Sequence, residues 1–418
     1  MKTSHPSAIF LLPALFFGAG AFSLARGQTT PPPKHPPVRV RPAPSPVKPP
    51  DPARPQFGDP LPGLTQVQLT AFFAGKDNFQ EIETIESGLG PIFNRDSCVG
   101  CHSSPIVGGS SNIVVTRFGQ LTGTTFDPLE SLGGSLQQSD SILGRPLEFI
   151  PQQANVVAHR RTTALFGLGL IEAIPDAAIQ QLAAAKKPDG VKGRAAMIVD
   201  AGTGQTRVGR FGWKAQHSSL LTFAGDAYLN EMGITNRIFP TENAPNGNTA
   251  LLAQLDTVSD PEDPVDATGK ADIDRFADFM RFMAPPPPVP LTKTAQTGAG
   301  LFQQIGCAVC HTPQWTTAAN PAVGALSTKP VLAYSDFLLH DMGSLNDNIG
   351  QAGANPNEMK TPVLWGVRAS NPYLHDGRAA TLDQAISAHD GEGKTARDRY
   401  VGLSTALKAN LIEFLNSL

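Results

Sequence analysis

Cysteine is scarce in this chain, with four residues in 418, too few to staple an exported protein of this length through disulfides. Positive charge is not in surplus either: 33 Lys and Arg face 36 Asp and Glu, for a net charge of -3. That argues against nucleic acid as a partner, because nothing is left over to neutralise phosphates. Long apolar runs are missing as well. The run Ala8 to Ala21 falls short of the about 20 residues that a membrane-spanning helix needs, so no integral span is expected in the mature chain. Charged residues make up 17% and hydrophobic ones 40%, enough apolar material for two or three packed domains. What the chain has in quantity is Gly (40) and Pro (38), and the prolines mark its divisions.

Lys2, the apolar run and the small residues at Ala19-Gly20-Ala21 or Ala25-Arg26-Gly27 follow the order of a cleaved export signal over residues 1–27, or 1–21. The mature protein is therefore expected in the periplasm or otherwise exported. With no Cys near the cleavage region, a lipid anchor there is excluded. Residues 28–62 form the next division. Pro31 to Pro62 holds 14 prolines in 32 residues, interleaved with Lys34, Arg39, Arg41, Lys48 and Arg54, and is expected to be a disordered, extended, basic tether of polyproline character. In residues 56–418, 26 basic residues face 35 acidic ones, an acidic folded part that suits a basic redox partner. A second proline block at 285–291 cannot continue the helix expected over Ala271 to Met283, and separates a first domain, 63–284, from a second, 292–418.

All four cysteines fall in two runs, Cys98-Val99-Gly100-Cys101-His102 and Cys307-Ala308-Val309-Cys310-His311. Two thiols three positions apart on one turn can add to the two vinyl groups of one haem, and the following His coordinates the iron. Two such runs that consume every Cys of an exported chain predict two covalently bound c-type haems. A pair of disulfides would leave His102 and His311 unexplained.

Each haem iron has a sixth position to fill or leave open, which separates electron carriers from enzymes. In the second domain the candidates are His340, Met342, Met359, His375 and His389. Thr381 to His389 reads as a capped helix with Leu382, Ala385, Ile386 and His389 on one stripe, which favours His389 as the ligand. Helices over Ala295 to Ile305 and Thr405 to Leu418 would close the haem crevice. In the first domain, Ser111 to Arg117 reads as a strand and Ile198 to Phe211 as a hairpin about Ala201-Gly202-Thr203-Gly204. The fold class expected is mainly α: two cytochrome c-like haem domains, the first enlarged with small β-hairpin insertions.

Gly90-Pro91-Ile92-Phe93-Asn94, Gly167-Leu168-Gly169-Leu170-Ile171-Glu172-Ala173-Ile174-Pro175, Gly209 to Ala215, His340-Asp341-Met342-Gly343, Thr361-Pro362-Val363-Leu364-Trp365-Gly366 and His375-Asp376-Gly377-Arg378-Ala379, with the two haem runs, resemble the motif series of the bacterial di-haem oxidoreductase family. That family, of peroxidases or thiol oxidoreductases, is related to the di-haem cytochrome c peroxidases. The resemblance runs from about Phe73 to Leu418. It implies that the distal ligand of the C-terminal haem comes from a helix after Tyr373-Leu374-His375-Asp376-Gly377, where His389 stands in place of the usual Met or Tyr. It also implies that peroxide is reduced at the N-terminal haem. The Trp-Asp-Gly-Arg-Ala block of the peroxidases' first domain is missing here.

Within that implication, Glu172 is the candidate proton-moving group, a surface Glu at the start of the Asp176 to Ala185 helix being the other reading. His159 could close the sixth position, and Arg160 and Arg161 could pair with propionates or polarise a bound oxygen; a solvated basic turn is the plainer alternative. Lys214, read as a partner to a carboxylate, and His217 are further pocket candidates. Trp365 and Trp213 are candidate electron relays, though each could equally be a buried core residue, and Trp315 reads as a haem-edge packing residue. No compact carboxylate loop supports a calcium ion. The function expected is a peroxidase-like oxidoreductase that takes hydrogen peroxide or another small oxidant, with a small soluble electron donor or acceptor such as a monohaem cytochrome c. A non-enzymatic electron-transfer cytochrome is the alternative, and oxidation of a partner's side chain a third reading.

Overall fold

The helix Lys293–Gln304 starts where the Thr292 hydroxyl accepts the Ala295 N–H at 3.0 Å, and ends at Ile305, just before Cys307. It packs along the C-terminal helix Thr405–Leu415, capped by Ser404. The crossing is set by a missing side chain: a Cβ on Gly298 would stand 2.0 Å from the Asn410 carbonyl oxygen, so the two backbones touch there. Phe302, Leu411, Phe414 and Leu415 interlock beside Leu382 and Tyr400 in one core. Burying side chains of this size contributes about 1.5–3 kcal/mol each.

A second helix pair repeats the device. Gly75 in Gln66–Phe79 lies against the Arg275 carbonyl of Asp272–Phe282, where an added Cβ would come within 2.2 Å. Phe79 packs on Phe279 with ring centroids 4.9 Å apart and planes tilted by 49°, and Tyr228 of the helix Leu220–Met232 meets Phe276 at 5.1 Å. These residues belong to a larger core that runs from Leu61 to Leu338 in sequence.

Helix predominates over strand, and the strands form small antiparallel sheets. Val114–Thr122 is the hub of the one four-stranded sheet among the described residues. Thr125–Asp127 and Leu136–Gln137 pair with it, and Val156–Arg161 runs along it with Thr116 opposite His159 and Val114 opposite Arg161. The hairpin expected about Ala201 to Gly204 is present as Met197–Val199 and Thr206–Val208.

The computed structural model describes residues 55–258, 265 and 267–418; the export signal and all but the end of the tether lie outside them. Residues 55–62, placed in the tether by their prolines, are part of the folded unit instead. The Leu61 N–H donates to Phe282 O at 2.7 Å, the Ala284 N–H donates to Asp59 O at 2.9 Å, and Leu61 is buried; proline only rules out interior ladder positions, and this pairing is an edge. The described residues all belong to one compact unit, Asp51–Leu418. Trp315, Val331, Phe337 and Leu338, from beyond the 285–291 linker, join the core of the preceding helices, so the proline block divides the helices but not the core. No helix of the described residues is long and apolar enough to cross a membrane.

Gly298→Ala is expected to lower the melting temperature by several degrees, through an overpacking cost of about 1–3 kcal/mol. Thermal unfolding followed by circular dichroism checks this, and an unchanged midpoint would mean that the terminal helices are not in backbone contact.

Candidate haem-binding site

One cavity of about 310 Å³ gathers most of the sequence candidates. Its wall includes Cys307, Cys310, His311 and His389, with Phe302, Leu382 and Leu411 as apolar neighbours, and also Thr162, Thr163, Leu168, Ile171, Phe211 and Phe223. Cys98, Cys101 and His102 are not among its lining residues.

In that wall, His311 and His389 lie with ring centroids 6.5 Å apart and ring planes tilted by 58°. Imidazole–metal bonds of about 2.0–2.1 Å, with each ring centre about 1.1 Å behind its nitrogen, require about 6.3 Å between centroids. Each ring has its Nδ1 at 2.9 Å from a backbone carbonyl, Tyr334 O for His311 and Ala385 O for His389. When Nδ1–H donates there, Nε2 is left as the free lone pair. Burial pushes His311 down to about 4 and lowers His389 too, so both rings are neutral, the ligating form. Thr381 caps the helix Leu382–Ser387 through Gln384, which fixes where His389 emerges. These residues fit a six-coordinate haem.

The N-terminal run is built alike. Cys98–Cys101 forms one helical turn, and His102 has its Nδ1 3.1 Å from Gly109 O. Cys98 Sγ lies 3.9 Å from Met232 Sδ, and the His102 ring sits against Phe79 at 5.9 Å. Burial pushes Cys98 up to about 12, Cys101 to about 11 and His102 down to about 4. The thiols are neutral and the imidazole uncharged in an apolar setting, which suits thioether bonds and one axial nitrogen.

Arg161 lines the cavity at the close of the strand Val156–Arg161. Its Nη1 donates to Ser370 O at 2.5 Å and its Nη2 to Ser111 O at 3.2 Å, while its buried Nε has no partner. The basic turn weighed at 159–161 is thus a strand, in which His159 is exposed while Arg160 and Arg161 are both buried. His159 faces solvent beside Thr116 and does not reach the cavity. Arg160 is buried on Asp347 at 2.7 Å.

Glu172 also stays out of the cavity wall. Its carboxylate accepts the Leu220 N–H and the Arg281 Nε–H, both at 2.8 Å. It therefore joins two helices, and its free pairs are spent on structure rather than on a bound substrate. Lys214 pairs with Asp347 at 2.8 Å, as read from the sequence. His217 stacks on Phe223 and pairs with Asp226 at 3.2 Å. Trp213 and Trp365 both line the cavity. Trp213 donates its Nε1–H to Arg161 O at 3.0 Å and meets His375 edge-on at 6.2 Å. Trp315 is not among the cavity-lining residues; it is buried against Phe337, which does line the cavity, with its Nε1–H on Ser335 O.

His340 is removed from the ligand candidates by its partners. It is 1% exposed, with Nε2 2.9 Å from Asp336 and Nδ1 2.8 Å from Glu392. Burial alone would lower its pKa, but Asp336, the Cys310 sulfur and Glu392 together raise it to about 12. Glu392 lies 52 residues away in sequence, and no spacing signal could have found this pair. Met342 and Met359 line the cavity as apolar wall.

Residues 139–418 match the family described as "Di-haem oxidoreductase, putative peroxidase"; the first haem run lies upstream of that match. Over 89 residues the chain is 32% identical to a cytochrome c551 peroxidase of Nitrosomonas europaea, covering 21% of this chain and 25% of that protein. Over 153 residues it is 26% identical to a cytochrome c peroxidase of Denitromonas iodatirespirans, covering 31% and 41%. The matched parts thus span less than half the length of these relatives. A di-haem peroxidase structure from Burkholderia thailandensis is similar at 14% identity and a TM-score of 0.39, over 84% of this chain and 86% of that one.

Removing His340 takes the cation from the fully buried Asp336 and from the half-buried Glu392, so His340→Leu should cost about 3–5 kcal/mol in denaturant unfolding at neutral pH. Because the folded-state value is raised, the stability from His340 is fully present below its ordinary 6.5 and is lost only as pH rises through about 12. A variant as stable as the wild type would show that the three groups do not form a charged cluster.

Proposed function

We propose, since the chain belongs to the di-haem oxidoreductase family, that it is an exported peroxidase-like enzyme with two covalently attached haems. Cys98, Cys101 and His102 hold the N-terminal haem, and Cys307, Cys310, His311 and His389 the C-terminal one. The observation that supports this best is the 6.5 Å gap between the His311 and His389 rings, each tied to a carbonyl through Nδ1. The haems supply electron storage and the cleavage of peroxide, which consumes two electrons and two protons for two molecules of water.

The residues around them divide the labour. His311 and His389 would both hold the iron of the C-terminal haem, which would suit electron relay and leave no place for substrate there; two imidazoles would also give a lower potential than a His/Met pair. Elsewhere in the cavity wall, Leu168, Ile171, Phe211 and Phe223 exclude water. Arg161 is a cation of that wall, and its free Nε–H would donate to a peroxide oxygen. Trp213 and Trp365, in the same wall, are the relays. The acidic folded part suits a small basic donor such as a monohaem cytochrome c.

The pyridine adduct of the full-length protein should count two haems per chain, falling to one in Cys310→Ser. Peroxide-dependent oxidation of a reduced small cytochrome should drop by roughly 10²–10³ in Arg161→Leu, the usual loss for one electrostatic donor, with the haem count unchanged. Two haems without any peroxide turnover would leave the electron-transfer reading in its place.

A further inference from the structure

The cavity wall carries more positive charge than its own acids neutralise. Among its cations, Arg210 is paired with Asp176, His340 with Asp336 and Glu392, and Arg397 with Asp390 and Asp398. Its carboxylates, Asp189 and Glu392, are held by Arg399 and His340. Besides Arg161, that leaves Lys360. It is 9% exposed, and its Nζ makes one hydrogen bond, to Thr361 O at 3.2 Å, with no carboxylate in contact among the described residues. Asp336, which attracts it, is hydrogen-bonded to His340 and to the Leu338 N–H.

An ammonium buried without a counter-ion costs several kcal/mol. Burial pushes Lys360 down to about 8, so it still carries its proton at neutral pH and needs an anion. Its place says which anion. Lys360 lines the same cavity as Cys307 and Cys310, which Cys98 and Cys101 do not line. A haem bonded at Cys307 and Cys310 brings two carboxylates on one edge, and among the described residues no carboxylate is in contact with Lys360 to compete for it.

We propose that Lys360 binds a propionate of the haem attached at Cys307 and Cys310. This rests on the reading that a haem is attached there. Lys360 is then a cofactor-binding residue that keeps the propionate ionised and holds the haem potential up against the buried negative charge.

The test is potentiometric titration of the full-length, haem-loaded protein between about pH 5 and 8, the range over which a propionate freed of its cation would titrate, for the wild type, Lys360→Met and Lys360→Arg. Lys360→Met should keep two haems by the pyridine adduct, while the C-terminal haem shows a lower potential that falls further as pH rises. Lys360→Arg should restore both the wild-type value and its slope, which a loss of packing alone would not do. Wild-type potential and slope in Lys360→Met with both haems present would overturn the proposal. Should Lys360→Met fail to load haem, Lys360→Gln takes its place under the same criteria. A wild-type protein that lacks the C-terminal haem contradicts the underlying attachment instead, and the haem count alone reveals it.

Discussion

The gap between His311 and His389 is the constraint around which the C-terminal part is arranged. Two rings cannot be held one metal atom apart by their own side chains, because each has rotatable bonds that would close the space or turn the nitrogens away. Here Tyr334 O and Ala385 O fix both rings from behind. Those carbonyls are fixed in turn: the second by a capped helix, and the first by a segment in which the Tyr334 ring packs on Phe302 and Phe414. The backbone contact at Gly298 brings the two terminal helices close enough to bury Phe302 and Leu411 against the cavity.

Charge is organised by the same enclosure. A wall lined by apolar rings has a low effective dielectric, so every ionised group in it must be paired or must wait for an anion. Asp336 and Glu392 lock His340 as a cation, and Asp347 holds Lys214 and Arg160. Arg161 and Lys360 are the exceptions among the wall's cations. Their lack of a protein carboxylate makes sense for a cavity that receives an anionic cofactor and a polar oxidant.

Much of this was legible in the residues. The C-x-x-C-H runs, the stripe ending at His389, the terminal helices and the hairpin about Ala201 to Gly204 are local patterns, and local patterns survive folding when packing agrees with them. What was not legible depends on distant partners. Val156–Arg161 pairs along Val114–Thr122, which turns a run of His, Arg and Arg from an apparent polar turn into a strand with His159 outward. Glu172 looked like a group set in apolar surroundings, yet Leu220 and Arg281 claim its oxygens from 48 and 109 residues away. Proline density near Pro60 suggested a tether, and the pairing of Asp59 and Leu61 with residues 282–284 could not be read from composition.

The cavity wall brings together groups of two kinds: two imidazoles with ring centroids 6.5 Å apart, and apolar rings beside a guanidinium whose Nε has no partner. That division is what the proposed enzyme, with one storage site and one reactive site, would require. Electron paramagnetic resonance of the ferric full-length protein, wild type against His389→Met, tests it most directly. The result expected is a low-spin bis-imidazole signal in the wild type that is replaced in the variant. A high-spin C-terminal haem, or a low-spin signal indifferent to the substitution, would contradict His311 and His389 as an axial pair.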